Sequence, residues 1–267
     1  MLFKNRKCSN CECYYDPTLY ECPKCHKENE LHSRKGFFDN IVNFSPLSQI
    51  GIFLIGFAYA GMLIVQILFG VIFTTIADEA LAETLTIFFT YLAMLGGIAA
   101  VVFTTRRKHF LSSFKRPLDY AFGVAYLIAA IVLSLIVGMI VNYFHEIGSN
   151  DNQDAAIDIV NNYPILAFFV LCLMGPICEE MTYRVGLFSF LKRINVVLAF
   201  ILSTLVFAFI HFSPASNDLI GELWALPSYI VPGIVLGFAY YHRGPACAMT
   251  AHILYNLISF IMILVTK

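Results

Sequence analysis

Seven apolar stretches, most of them close to the ~20 helical residues that a bilayer core requires, run through the chain at 47–76, 82–105, 118–144, 163–183, 196–212, 226–241 and 245–265. The sequence therefore reads as an all-α membrane protein, a polytopic helical bundle of about seven transmembrane helices, with the fourth able to continue into the amphipathic stretch 185–194. Composition agrees: 59% of residues are hydrophobic and only 13% are charged, against about 25% charged in an ordinary soluble domain. Residues 1–36 are polar and form a separate head, and the membrane domain occupies 37–267, entered through a connector at 37–46. The head lacks the apolar run of a signal peptide, so the amino terminus is expected in the cytoplasm.

Charge along the chain supports that orientation. With the amino terminus inside, Arg106, Arg107, Lys108, Lys115, Arg116, Lys192, Arg193 and Arg243 fall on the cytoplasmic side with the basic residues Lys4, Arg6, Lys7, Lys24, Lys27, Arg34 and Lys35 of the head. The opposite connectors carry Asp78, Glu79, Glu83, Glu146, Asp151, Asp154, Asp158, Asp218 and Glu222 and no Lys or Arg. An odd number of spans puts the carboxy terminus, with Lys267, outside. The net charge of -1 offers nothing to nucleic acid.

Five of the eight cysteines lie within the first 25 residues. Cys8-x-x-Cys11 and Cys22-x-x-Cys25 have the spacing of two zinc knuckles, each turning two thiolates toward one metal, and four thiolates complete a tetrahedral zinc site. A reducing cytoplasm disfavours the alternative of two disulfides. The head is thus zinc-ribbon-like, with the metal supplying folding energy that so short a segment cannot obtain from an apolar core. Four cysteines leave no open coordination position, so this zinc is structural, and Cys13 and His26 are spectators. A protein partner or the chain's own cytoplasmic face is the expected docking site of the head. Cys172, Cys178 and Cys247 sit in apolar stretches and read as packing.

Charged side chains inside a span cost about 2.5–3.5 kcal/mol each on insertion scales, so each needs a partner or a purpose. Glu180 and Arg184 are spaced to pair along one helical face. Glu179, about 100° away on an α-helix, has no local cation and is the candidate general base. His211 ends the fifth stretch four residues after Phe207, and His252 and Asn256 share a face of the last. Glu179 with His211 could activate a water, and His252 with Asn256 could hold the oxyanion of a tetrahedral intermediate. Upright helices would put Glu179 and His252 nearer the cytoplasm and His211 nearer the outside, so a tilted or broken helix is needed to level them. Gly233-x-x-x-Gly237 speaks to close packing, Pro164, Pro176, Pro227 and Pro232 to helix starts or kinks, and His109, His145 and His242 to no chemistry.

These motifs, Glu179-Glu180-Met-Thr-Tyr-Arg184, Phe207-Ala-Phe-Ile-His211 and His252-Ile-Leu-Tyr-Asn256, resemble those of the CPBP family, the CAAX proteases and bacteriocin-processing enzymes also called Abi proteins, over about 163–259. The resemblance implies an intramembrane endopeptidase acting on a membrane-associated peptide or protein. It implies Glu179 as the water-activating carboxylate, His211 as its partner, His252 and Asn256 as the oxyanion pair, and Glu180 with Arg184 in support. Catalysis by a metal-independent glutamate is the favoured route. Glu179, His211 and His252 as a catalytic zinc site is the alternative. From different classes come a non-catalytic immunity or scaffold protein that binds a peptide or protein partner through its head, and a proton-coupled transporter, which the absence of an inverted repeat disfavours.

Overall fold

Short polar residues and prolines start the helices. The computed structural model describes residues 5–16, 19, 21–27, 44–57, 63–145, 148 and 150–266. The end of the head at 28–36, the connector at 37–43, Lys4, Glu146, Lys267 and the side chains of Lys108 and His109 lie outside the described residues. The elements are β1 (Arg6–Lys7), β2 (Tyr14–Tyr15), α1 (Pro46–Gly56), α2 (Leu63–Phe73), α3 (Glu79–Thr105), α4 (Arg107–Ser112), α5 (Pro117–Phe144), α6 (Asp151–Asn162), α7 (Pro164–Leu191), α8 (Val196–Phe209), α9 (Leu219–Arg243) and α10 (Pro245–Val265). Pro46, Pro117, Pro164 and Pro245 stand at first-turn positions, where the missing N–H has no helical partner to lose. Asp78, Asn150, Asn195 and Asp218 cap α3, α6, α8 and α9 by accepting from backbone N–H groups at 2.8–3.1 Å.

Helices α3, α5, α7, α9 and α10 are long and apolar enough to cross a membrane; α1, α2 and α8 are apolar but shorter. The expected first span is therefore not one helix among the described residues: α1 ends at Gly56, where Phe57 turns to extended backbone, and α2 starts at Leu63. Hydropathy averages across such a break because the residues flanking it are themselves apolar. The fourth span does continue through the amphipathic stretch, to Leu191. The fifth shortens to 14 residues, about 21 Å against a core of ~30 Å. Helix α6, polar on one face, was not expected from hydropathy.

The apolar core joins Ile52 of α1, Ile98 and Val102 of α3, Met181, Val185 and Phe188 of α7, Ala199 of α8, Tyr240 of α9 and Cys247 of α10. Helix α1 lies close against α7. A Cβ at Gly56 would overlap the Thr182 side chain, and one at Gly186 would come within 2.9 Å of the Phe53 backbone nitrogen. Gly186→Ala must push the two helices apart and is expected to cost ~1–3 kcal/mol, read as a lower melting temperature in detergent; unchanged melting would show that this approach is not required. Gly233 and Gly237 of α9 face Thr204, Phe200 and Phe207 of α8, with a Cβ at either reaching one of those side chains at 3.1–3.2 Å. Gly244, at φ 88°, makes the tight turn between α9 and α10 in a conformation that L side chains rarely adopt.

The two ends of the bundle differ in charge. At the basic end, buried Asp119 at the start of α5 lies 3.3 Å from Arg116 and 3.8 Å from Arg243 at the end of α9. Arg243 therefore ties the end of α9 to the start of α5, while Arg116 pairs with Asp119 within the first turn of α5 itself. His242 is a hydrogen-bonded core residue, 2.9 Å from the Tyr126 hydroxyl. At the acidic end the Tyr163 hydroxyl donates to Asp78, tying the start of α7 to the start of α3.

Candidate metal centre and active site

In the head, both Cys-x-x-Cys segments adopt the same knuckle. The amides of Glu12 and His26 bond back to the carbonyls of Cys8 and Cys22, and the amides of Cys8 and Cys22 bond to the carbonyls of Cys13 and Lys27, all at 2.9–3.0 Å. Glu12 and His26 occupy equivalent left-handed positions, φ 58° and 57°. The result brings the thiols of Cys8, Cys11, Cys22 and Cys25 within 4.8 Å of one another. The Cys8–Cys25 and Cys11–Cys22 separations are 3.6 and 3.4 Å; tetrahedral Zn–S bonds of ~2.3 Å require about 3.8 Å. The donor set fits a tetrahedral metal. Burial alone would raise the Cys22 thiol, but the Cys13 thiol and the amides of Cys25 and Lys24 outweigh it and hold Cys22 at about 6. Cys13, expected to be a bystander, lies 3.1 Å from Cys22 and 3.4 Å from Cys11.

The head rests on the basic end of the bundle. Arg193, between α7 and α8, donates to Asp16 of the head at 3.0 Å, to Gln49 of α1 at 2.8 Å and to the Phe44 carbonyl at 2.6 Å. Arg106, at the end of α3, lies 4.0 Å from Glu21. One guanidinium thus links the head, α1 and the end of α7.

Inside the bundle α7 is not a uniform helix. Phe168–Met174 and Glu180–Phe188 are wide π-type turns, separated by Gly175–Glu179. Such turns recur at functional sites because they re-aim side chains. Here the change of pitch falls between Glu179 and Glu180, and both carboxylates reach His252 of α10. Glu180 Oε1 lies 2.9 Å from Nδ1 and Glu179 Oε2 lies 3.6 Å from Nε2. The expected pairing of Glu180 with Arg184 is present at 3.4 Å, with both side chains 1% exposed. Its extension to His252 was not legible in the sequence, since the two residues are 72 positions apart.

Arg184 is fixed from three sides. Beside Glu180 it donates to the Gly233 carbonyl of α9 at 3.1 Å and lies over the Phe207 ring of α8 at 4.5 Å. Phe207 also presents its edge or face to Tyr183, His211 and His252, with ring centroids 5.1–6.0 Å apart. Tyr91 of α3, which no motif signalled, interacts with the Glu179 carboxylate.

His211 follows the end of α8, and Glu179 lies about half-way along α7. Its Nδ1 lies 2.9 Å from the Phe207 carbonyl, which leaves Nε2 to the site. It is near enough to feel the charges of Glu179, His252 and Arg184. Its ring stacks on Tyr229 of α9, centroids 4.4 Å apart and planes at 18°. Asn256, one turn beyond His252, donates from Nδ2 to the Leu171 carbonyl at 2.8 Å. Glu222, assigned by its sequence position to an outer connector, is buried and accepts from the amides of Asp151 and Ser213 at 2.9 and 3.0 Å. Among the described residues the four head cysteines are the only group of three or more ligand side chains drawn together at metal-binding distances. Glu179, His211 and His252 do not form such a group, with His252 Nδ1 turned to Glu180 and His211 Nδ1 to a carbonyl.

Residues 161–258, which carry all of these membrane side chains except Tyr91, match the family model of type II CAAX prenyl endopeptidase Rce1-like proteins. This segment is similar to that family. The chain is also similar to the UPF0177 protein YvdC of Lactococcus lactis, 29% identical over 152 residues, 57% of this chain and 54% of that protein. An uncharacterized protein of Mycoplasma capricolum is 25% identical over 196 residues, 70% of this chain and 54% of its own length. The chain thus spans about half the length of these curated relatives. No solved structure matches it.

Proposed function

We propose that the chain is an intramembrane endopeptidase that hydrolyses a peptide bond of a membrane-associated substrate with a water activated by Glu179. The observation that carries this reading is the buried convergence of Glu179, Glu180, Arg184 and His252 within a segment similar to CAAX prenyl endopeptidases. In the proposed reaction Glu179 takes a proton from water as the water oxygen adds to the peptide carbonyl, with His211 Nε2 as the second group on that water, and returns the proton to the amine as the C–N bond breaks. His252, steadied at Nδ1 by Glu180, and Asn256, steadied by the Leu171 carbonyl, stabilise the oxyanion. Arg184 holds Glu180 in charge balance and acts through it. The glutamate route is favoured over a zinc-bound water because Glu179, His211 and His252 are not drawn together at metal-binding distances, as the four head cysteines are. The test is cleavage by the purified chain in proteoliposomes of two reporters, a farnesylated peptide ending in a CAAX sequence and a membrane-anchored leader peptide. New termini at a single bond are expected in at least one. Failure on both would defeat the reading.

We also assign zinc to the four-cysteine cluster as a structural metal, and place the head and the basic end of the bundle in the cytoplasm. One equivalent of zinc per chain is expected by elemental analysis. Cys8→Ser is expected to lose it, while Glu179→Gln retains it. Zinc that survives Cys8→Ser but disappears with His211→Ala would reverse the assignment and move the metal into the membrane site.

A further inference from the structure

We infer that Tyr229 is the positioning residue for His211, and that it anchors the imidazole to helix α6. This rests on the proteolytic reading above. His211 lies just beyond the end of α8, and its imidazole is hydrogen-bonded through Nδ1 to the Phe207 carbonyl at 2.9 Å. That single hydrogen bond still allows rotation of the ring about it, and the Phe207 ring meets the imidazole at a 60° tilt, centroids 5.1 Å apart. The face of Tyr229, 4.4 Å away and nearly parallel, removes that freedom. Tyr229 is itself held at its far end. Its hydroxyl donates to Asn150 Oδ1 at 3.1 Å and accepts from Asn152 Nδ2 at 3.2 Å.

Asn150 is the cap of α6 and also donates from Nδ2 to the His211 carbonyl at 3.5 Å. The same corner is closed by Glu222, which grips the amide of Asp151 on one side and of Ser213, two residues after His211, on the other. Helix α6 and the turn after α8 are therefore fastened to α9 at two adjacent points, one through the Tyr229 hydroxyl and one through the Glu222 carboxylate. An arrangement that only filled space would need neither the planar stack nor the phenolic anchor.

The experiment compares Tyr229→Phe, Tyr229→Leu and Glu179→Gln with the wild type on whichever reporter is cleaved. Misplacing a reacting group by about 1 Å costs on the order of 10²-fold in rate. Tyr229→Leu is therefore expected to lower kcat by about 30- to 100-fold with KM within about twofold, and Tyr229→Phe, which keeps the planar face, to stay within about tenfold of wild type. Equal rates for Leu and Phe variants, or a Leu variant with wild-type kcat beside an inactive Glu179→Gln, would overturn the positioning role and leave the protease intact. A fully active Glu179→Gln would instead defeat the catalytic reading. A readout independent of turnover is the rate at which diethyl pyrocarbonate modifies His211, followed by mass spectrometry. Tyr229→Leu is expected to raise it several-fold and Tyr229→Phe to leave it near wild type; no difference between the two removes the stacking argument.

Discussion

Glu179→Gln is expected to lower reporter cleavage by about 10³-fold or more while leaving thermal stability and zinc content unchanged, a loss in the range attributed to general-base catalysis. The replacement keeps the size of the side chain and its hydrogen-bonding capacity but removes the carboxylate that would accept a proton from water. Its isolation from the structural pair makes the result interpretable. Glu179 is 14% exposed at its side chain and lies 3.6 Å from His252, whereas Glu180 is 1% exposed and held at 2.9 Å. Neutralising Glu179 therefore disturbs the fold little, and neutralising Glu180 disturbs it much. Turnover undiminished in Glu179→Gln would remove this residue from the mechanism.

The second large effect concerns stability. Arg184→Met is expected to destabilise the protein by ~3–5 kcal/mol, because it leaves the Glu180 carboxylate in the bundle interior without its cation. The methionine retains much of the arginine stem and its contact with the Phe207 ring, so the loss reports charge rather than volume. The native pair is not ideally bonded: among the described residues Glu180 Oε2 and one terminal nitrogen of Arg184 have no hydrogen-bond partner. A pair of this kind gives little net stability over apolar residues of similar shape. Glu180→Leu combined with Arg184→Met should accordingly recover much of the stability lost in the single variant while abolishing cleavage, since His252 then has nothing at Nδ1. Unfolding in detergent by denaturant titration measures both variants. Equal stability of Arg184→Met and the wild type would show that the Glu180 charge is compensated elsewhere.

The membrane character, the positions of the long helices, the four-cysteine cluster and the Glu180–Arg184 pair follow from local pattern. Hydropathy, Cys-x-x-Cys spacing and i,i+4 geometry are all set within a few residues, so no knowledge of the fold is needed to read them. The break between α1 and α2 and the early end of α8 were not legible, because apolar residues continue across the one and lead up to the other. Helix α6 was hidden by its low hydropathy.

The buried glutamates and histidines divide along the same line. Their residue types and order suggest a catalytic set, and they lie within the 161–258 segment that matches the Rce1-like family model. Which atoms meet was decided by tertiary structure alone. The change of pitch within α7 falls where both glutamates meet His252, α8 ends just before His211, and Tyr229 meets His211 from another helix. Each of these depends on side chains from different helices, and their relative depth and rotation are set by packing, which hydrophobic periodicity along one segment does not encode.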